Sequence, residues 1–120
     1  MYTVSVESKF SSAHNLRGYK GKCEDLHGHN WRVRVSVSSK ELDEMGMVCD
    51  FTVIKKLLNR IVDGLDHKYL NDVGDFVVTN PTSENIAKYI FDEMCRVSPG
   101  FEVKKVTVWE TETSSATYSK

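Results

Sequence analysis

Residues 2 to 10 alternate: Tyr2, Val4, Val6 and Phe10 take one parity and Thr3, Ser5, Glu7 and Lys9 the other. That is the two-residue period of a half-buried strand, and continued to residue 14 it puts His14 on the apolar side. A second alternation runs from Asn30 to Ser39, with Trp31, Val33, Val35 and Val37 opposed to Arg32, Arg34, Ser36 and Ser38. If this strand begins near Leu26, His27 and His29 share its apolar face. After a polar turn over 40–46, Met47 to Cys49 is expected to return as a third, antiparallel strand. The period then changes. Phe51, Ile54, Leu58, Ile61 and Leu65 recur at steps of three and four, one stripe on a helix that Asp50 caps and Gly64 ends. Asn80-Pro81-Thr82-Ser83-Glu84 announces a second helix, with Asn80 as cap and proline in the first turn. Its buried stripe is Ile86, Ile90, Met94 and Val97, widened by Ala87 and Phe91, and Pro99-Gly100 stops it. Val106, Val108 and Glu110 then line one face of a last long strand, and Thr113 to Tyr118 folds back as a short return. The pattern predicts an α+β fold, an antiparallel sheet with two helices packed on one face. Nothing in it covers the other face or the sheet edges, and such edges tend to be capped by another copy of the chain.

Composition narrows the function classes. A chain of 120 residues suits a single domain spanning 1–120. Its formal charge of −1 gives no bulk electrostatic reason to bind nucleic acid or a membrane surface. No apolar run reaches the ~20 residues of a membrane span, and the first residues show no charged-then-apolar leader. Three scattered cysteines, Cys23, Cys49 and Cys95, are not a disulfide framework and fit a reducing cytoplasm.

The chemistry-bearing residues gather around Cys23-Glu24-Asp25-Leu26-His27-Gly28-His29. Two imidazoles on one strand face can share a metal ion, with Gly28 between them leaving room and His14 the nearest third donor. Neutral imidazole is the usual zinc ligand, and a catalytic zinc keeps three protein ligands and an open position. Taken alone, His-Gly-His fits a hydrogen-bonded surface pair as well. The preceding loop holds Arg17, Lys20 and Lys22, either solvated charges or a phosphate-facing rim beside Cys23. Asp66 directly before His67 can orient and charge-stabilise an imidazole; a histidine favoured by a helix C-terminus is the alternative. Glu110 continues an apolar face, so its carboxylate needs a partner. That partner is either a basic side chain or a ligand with two adjacent N–H donors.

Five segments taken together carry a family resemblance: Phe10-Ser11-Ser12-Ala13-His14, Cys23 to Asn30 (C-x3-H-G-H-N), Leu65 to Asn71 (L-D-H-K-Y-L-N), Asn80 to Ala87 (N-P-T-S-E-N-I-A) and Trp109 to Thr113 (W-E-T-E-T). In order and at fitting distances, they resemble the 6-pyruvoyltetrahydropterin synthase family over nearly the whole chain. With three residues between Cys23 and His27, the chain looks most like the 6-carboxytetrahydropterin synthase branch; pyruvoyl-forming relatives generally have a longer insertion there. The resemblance implies zinc on His14, His27 and His29, and proton transfer by Cys23, Asp66 and His67. It also implies pterin binding by Glu110 with Thr82 and Ser83. The implied fold is the tunnelling (T-fold) type, in which protomers close a β-barrel as trimers or stacked trimers with sites between them. Glu24 stands beside Cys23; a folate-linked sister branch uses glutamate in the cysteine's place, and here Cys23 itself occupies the matching position.

The implied reaction is a zinc-dependent lyase step on 7,8-dihydroneopterin triphosphate. It gives 6-carboxy-5,6,7,8-tetrahydropterin, triphosphate and acetaldehyde, an early stage toward 7-deazapurines such as queuosine. Within the family the alternatives are pyruvoyl formation and folate-branch side-chain cleavage. Outside it, the alternative is a non-catalytic zinc module closed by Cys23 as a fourth ligand.

Overall fold

The computed structural model describes residues 1–18, 21 and 25–120. Strand β1 (Tyr2–His14) pairs antiparallel with β2 (His27–Ser39), β2 with β3 (Glu102–Thr111), and β3 with β4 (Ser114–Ser119). The sheet order is β1-β2-β3-β4, so β1 and β4 are its edges. Helices α1 (Phe51–Asp63) and α2 (Ser83–Val97) lie on one face. The alternation in β1 and β2 does what a two-residue period requires: Val6, Phe10, Trp31, Val33 and Val35 are buried under the helices. Opposite Ser36 and Val37, β3 carries one extra residue, Lys104, in a bulge, and at this end of β2 Ser36, Val37 and Ser38 are all buried.

Asp50 caps α1 as its sequence predicts, Oδ1 accepting the Thr52 N–H at 2.8 Å. The buried stripe is Ile54, Leu58 and Val62, continued by Leu65. Phe51 sits in the first turn, is 51% exposed, and does not join that stripe; Ile61 is only partly covered. On α2, Ile86, Ala87, Ile90, Phe91 and Met94 are buried, while Val97, at the last position, is only partly so.

Two expectations are corrected. Met47–Cys49 is not a strand. The Asp43 carboxylate accepts the N–H groups of Met45 and Met47, and the Asp43 N–H donates to the Met47 carbonyl. Backbone groups spent in that local turn cannot join a ladder. Nor does Asn80 cap α2. Thr82 does, its Oγ1 accepting the Asn85 N–H at 3.1 Å, and Pro81 precedes the cap. The Asn80 side chain is bonded instead to the backbone of Arg17.

The radius of gyration, 15.1 Å, exceeds the roughly 13.6 Å of a compact chain this long. The molecule measures 53 × 23 × 22 Å, stretched by its two long strands. On the helix-free face, Arg32 and Arg34 stand over the Trp109 ring at 3.9 and 5.1 Å and pair with Glu7.

Candidate active site

The pairing of β1 with β2 sets His14 opposite His27 and Ser12 opposite His29. Three imidazoles thus meet at one end of the sheet, with ring centroids 4.5, 4.8 and 5.4 Å apart. One ligand atom from each of them, and one from Glu110 on β3, lie within 4.8 Å of one another. Trp31 supports the group from below. It is fully buried, meets the His14 and His29 rings edge-on at 4.9 and 5.3 Å, and donates its indole N–H to the Ser12 carbonyl.

Hydrogen bonds fix two of the tautomers. His14 Nδ1 lies 2.8 Å from the Pro81 carbonyl, and His27 Nδ1 lies 2.7 Å from that of Asp25. A carbonyl only accepts, so each Nδ1 carries the proton and each Nε2 is left as a lone pair. His14 Nε2 is buried with no hydrogen-bond partner among the described residues. His29 Nε2 lies 3.0 Å from Glu110 Oε1, close enough for an ion pair but not aligned as a hydrogen bond. Three imidazoles facing one another, two of them steadied through Nδ1, are the donor set of a zinc site. The residues therefore fit the metal that the sequence suggested. Burial holds His14 and His29 below the ordinary histidine range. The Pro81 carbonyl opposes the shift at His14 and the Glu110 charge opposes it at both. Both rings are thus neutral near pH 7, the form that ligates metal. Gly28 does not make the room: a Cβ there would meet the Ser12 carbonyl oxygen at an ordinary 3.9 Å.

Glu110 is half-buried and meets no lysine or arginine among the described residues. Its Oε2 accepts from Ser83 Oγ at 3.2 Å, while the Thr82 hydroxyl serves as the α2 cap. Beside it opens a cavity of about 490 Å³ lined by Ser83, Glu84, Glu110, Thr111 and the β4 residues Ser114 to Thr117. Glu84, a second carboxylate facing that space, was not singled out from the sequence. Its place in the first helical turn reads equally well as dipole compensation.

Asp66 and His67 are not part of the imidazole cluster. Their loop lies along the outer edge of β1, where the His67 N–H donates to the Ser11 carbonyl at 2.7 Å and Ala13 bridges Tyr69. Asp66 Oδ1 accepts the Ser11 N–H and Oδ2 meets His67 Nδ1, both at 2.8 Å. The Ser11 N–H first, then the His67 side chain, hold the Asp66 carboxyl below its usual range. His67 has φ of +54°, uncommon outside glycine, and its side chain is 83% exposed. Cys23 lies outside the described residues, as do Lys20 and Lys22. Arg17 Nη2 donates to the carbonyls of Asn71 and Phe76.

A sequence model of the family described as 6-pyruvoyl tetrahydropterin synthase matches residues 3–120. The chain is 44% identical to the 6-carboxy-5,6,7,8-tetrahydropterin synthase of a Synechocystis species, over 98% of this chain and 93% of that one. It is 34% identical to the Bacillus subtilis enzyme of the same name, over 98% and 84%. Among solved structures, Caenorhabditis elegans 6-pyruvoyl tetrahydropterin synthase superposes with a TM-score of 0.90 at 32% identity, covering 99% of this chain and 95% of that one.

Proposed function

The chain belongs to the 6-pyruvoyl tetrahydropterin synthase family, and from that premise we propose that it is a zinc-dependent lyase. In this reading it converts 7,8-dihydroneopterin triphosphate to 6-carboxy-5,6,7,8-tetrahydropterin, with release of triphosphate and acetaldehyde. The observation that carries the reading is the His14–His27–His29 group, its ligand atoms close together and the Nδ1 protons of His14 and His27 held by carbonyls. Similarity to relatives named for the carboxy product, and the short Cys23-to-His27 spacing, favour that branch over pyruvoyl formation.

His14, His27 and His29 would hold the zinc, which supplies Lewis-acid polarisation of the substrate's side-chain hydroxyls. The remaining work falls to the chain's own groups. Glu110 accepts N–H donors of the pterin edge, with the Ser83 hydroxyl orienting its second oxygen and Glu84 offering another acceptor across the cavity. Thr82 holds the start of α2 in place beneath them. Cys23 is the base for the side-chain proton; a free thiol near pKa 8.5 is only a few per cent ionised at neutral pH, so a neighbouring positive charge must activate it. Asp66 fixes His67 Nδ1, which leaves Nε2 as the atom that exchanges protons with substrate.

His67 projects outward from the segment that lies along the end of β1, so we place this pair in the site of a neighbouring protomer. The position of β1 and β4 as outer strands, with β1 covered only at its end, and the elongated sheet support a trimer, or two stacked trimers, with sites at the seams. No described helix is long and apolar enough to cross a membrane. Cys49 and Cys95 are free thiols, which supports a reducing, cytoplasmic setting. The product would feed the formation of 7-deazapurines such as queuosine.

The test is incubation with dihydroneopterin triphosphate, products separated by mass and acetaldehyde trapped as a hydrazone. One acetaldehyde per triphosphate is expected. Triphosphate without acetaldehyde, beside a pterin that keeps all three side-chain carbons, means pyruvoyl chemistry instead. Cys23→Ala should keep its zinc and lose turnover; loss of both favours the closed Cys-His₃ module.

A further inference from the structure

We propose that Asn71 and Asn80 are positioning residues, a pair of side-chain amides that clamps the segment after His14 and thereby sets where the His14 imidazole stands. The evidence is a ladder that changes partner. Along the outer edge of β1, the Ser11 carbonyl accepts from the His67 N–H at 2.7 Å and the Ala13 N–H donates to the Lys68 carbonyl at 3.1 Å. Two residues on, the Asn15 N–H donates to Asn71 Oδ1 at 3.1 Å and the Asn15 carbonyl accepts from Asn71 Nδ2 at 2.9 Å. Two further on, the Arg17 N–H donates to Asn80 Oδ1 at 2.9 Å and the Arg17 carbonyl accepts from Asn80 Nδ2 at 3.0 Å. A carboxamide carries the same donor and acceptor as a peptide group. The two asparagines therefore continue, through residues 15 and 17, the edge pairing that backbone provides at 11 and 13. Aspartate would lack the donor and set a charge against a carbonyl oxygen.

The bonds close a circuit around His14. Asn80 holds Arg17 through its side chain, and the next residue, Pro81, accepts the His14 Nδ1 proton through its carbonyl. The Asn80 carbonyl is itself anchored on α2, accepting from Asn85 Nδ2 at 2.8 Å. Ring and backbone of the His14–Arg17 segment are thus tied to one dipeptide step. Asn71, only 2% exposed, closes the other side, and Arg17 Nη2 latches onto its carbonyl. Both asparagines lie in segments singled out in the sequence, yet no step of the proposed reaction uses them.

Only the metal readout below rests on the proposed function. Asn80, partly exposed, is the residue to change. In metal-free protein above neutral pH, ring ¹⁵N shifts should show wild-type His14 fixed with its proton on Nδ1. In Asn80→Asp and Asn80→Ala the two tautomers should average. Zinc affinity, read by chelator competition, should fall at least about tenfold in both variants, the usual cost of losing an outer-shell support. Ile54→Val, a core change remote from the clamp, should lower the melting temperature without moving either readout. A fixed His14 tautomer with unchanged affinity in folded Asn80 variants overturns the proposal, as does a matching loss in Ile54→Val. Failure of the wild-type protein to bind zinc sinks the metal reading instead, and the ring shifts still judge the clamp.

Discussion

At the scale of single residues, each side chain's second hydrogen bond decides its chemistry. His14 and His27 are usable ligands because Pro81 and Asp25 take their Nδ1 protons. Alanine at His14, His27 or His29 should each cut zinc affinity strongly from about one ion per chain, measured by metal analysis after dialysis; undiminished zinc in all three would dissolve the site. His67 differs, because its backbone sits in the left-handed region that asparagine tolerates. His67→Asn should therefore fold and bind zinc like wild type while losing turnover. Activity equal to wild type would remove His67 from the reaction. The neutral rings also predict a pH dependence. With folded-state affinities for protons lowered by burial, the unfolded chain binds more protons below about pH 6.5. The contribution of these rings is intact above that pH and is lost as pH falls through the lowered folded-state values. In metal-free protein, the denaturant midpoint should drop on acidification, and His14→Gln should flatten the drop. An identical slope in the variant would mean that His14 is not held neutral.

At the scale of elements, the site is a product of register. The β1–β2 ladder aligns His14 with His27, and Trp31, two residues beyond His29 on the same parity, becomes the floor. Trp31→Ala should cost about 3–5 kcal/mol of stability, the range for truncating a buried tryptophan, and should loosen zinc binding as well. Full metal affinity in a folded, destabilised Trp31→Ala would show the floor to be dispensable. Helix α2 contributes at its first turn, where Ser83 reaches Glu110. The histidines and Glu110 were legible from parity alone, and Asp50 from its capping chemistry. The α2 cap was misplaced because Asn80, Pro81 and Thr82 all suit a helix start. Only the pull of Arg17 on Asn80 decides among them.

At the scale of the whole molecule, the separation of Asp66–His67 from the imidazole cluster is the main functional constraint. If Cys23 and His67 serve one site from different protomers, mixed assemblies of Cys23→Ala and His67→Asn should regain activity. Random mixing gives about a quarter of sites with both groups, so recovery near a quarter of wild-type turnover is expected. Mixed assemblies as inactive as their parents would place both residues on one chain.

The sequence by itself determined the two periodicities, the helix-covered sheet face and the parity that sets three histidines and a glutamate on one side. Those follow from side-chain direction, which repeats along the chain and needs no partner. What the tertiary structure decided depends on groups distant in sequence. It made Met47–Cys49 a turn, tied Arg17 Nη2 to two carbonyls, placed Glu84 beside the cavity, and gave His14 and His27 each a carbonyl to fix its tautomer. A carbonyl is present at every residue, so no residue type marks the ones at Pro81 and Asp25. Only the packing of the chain shows which backbone oxygens meet the rings.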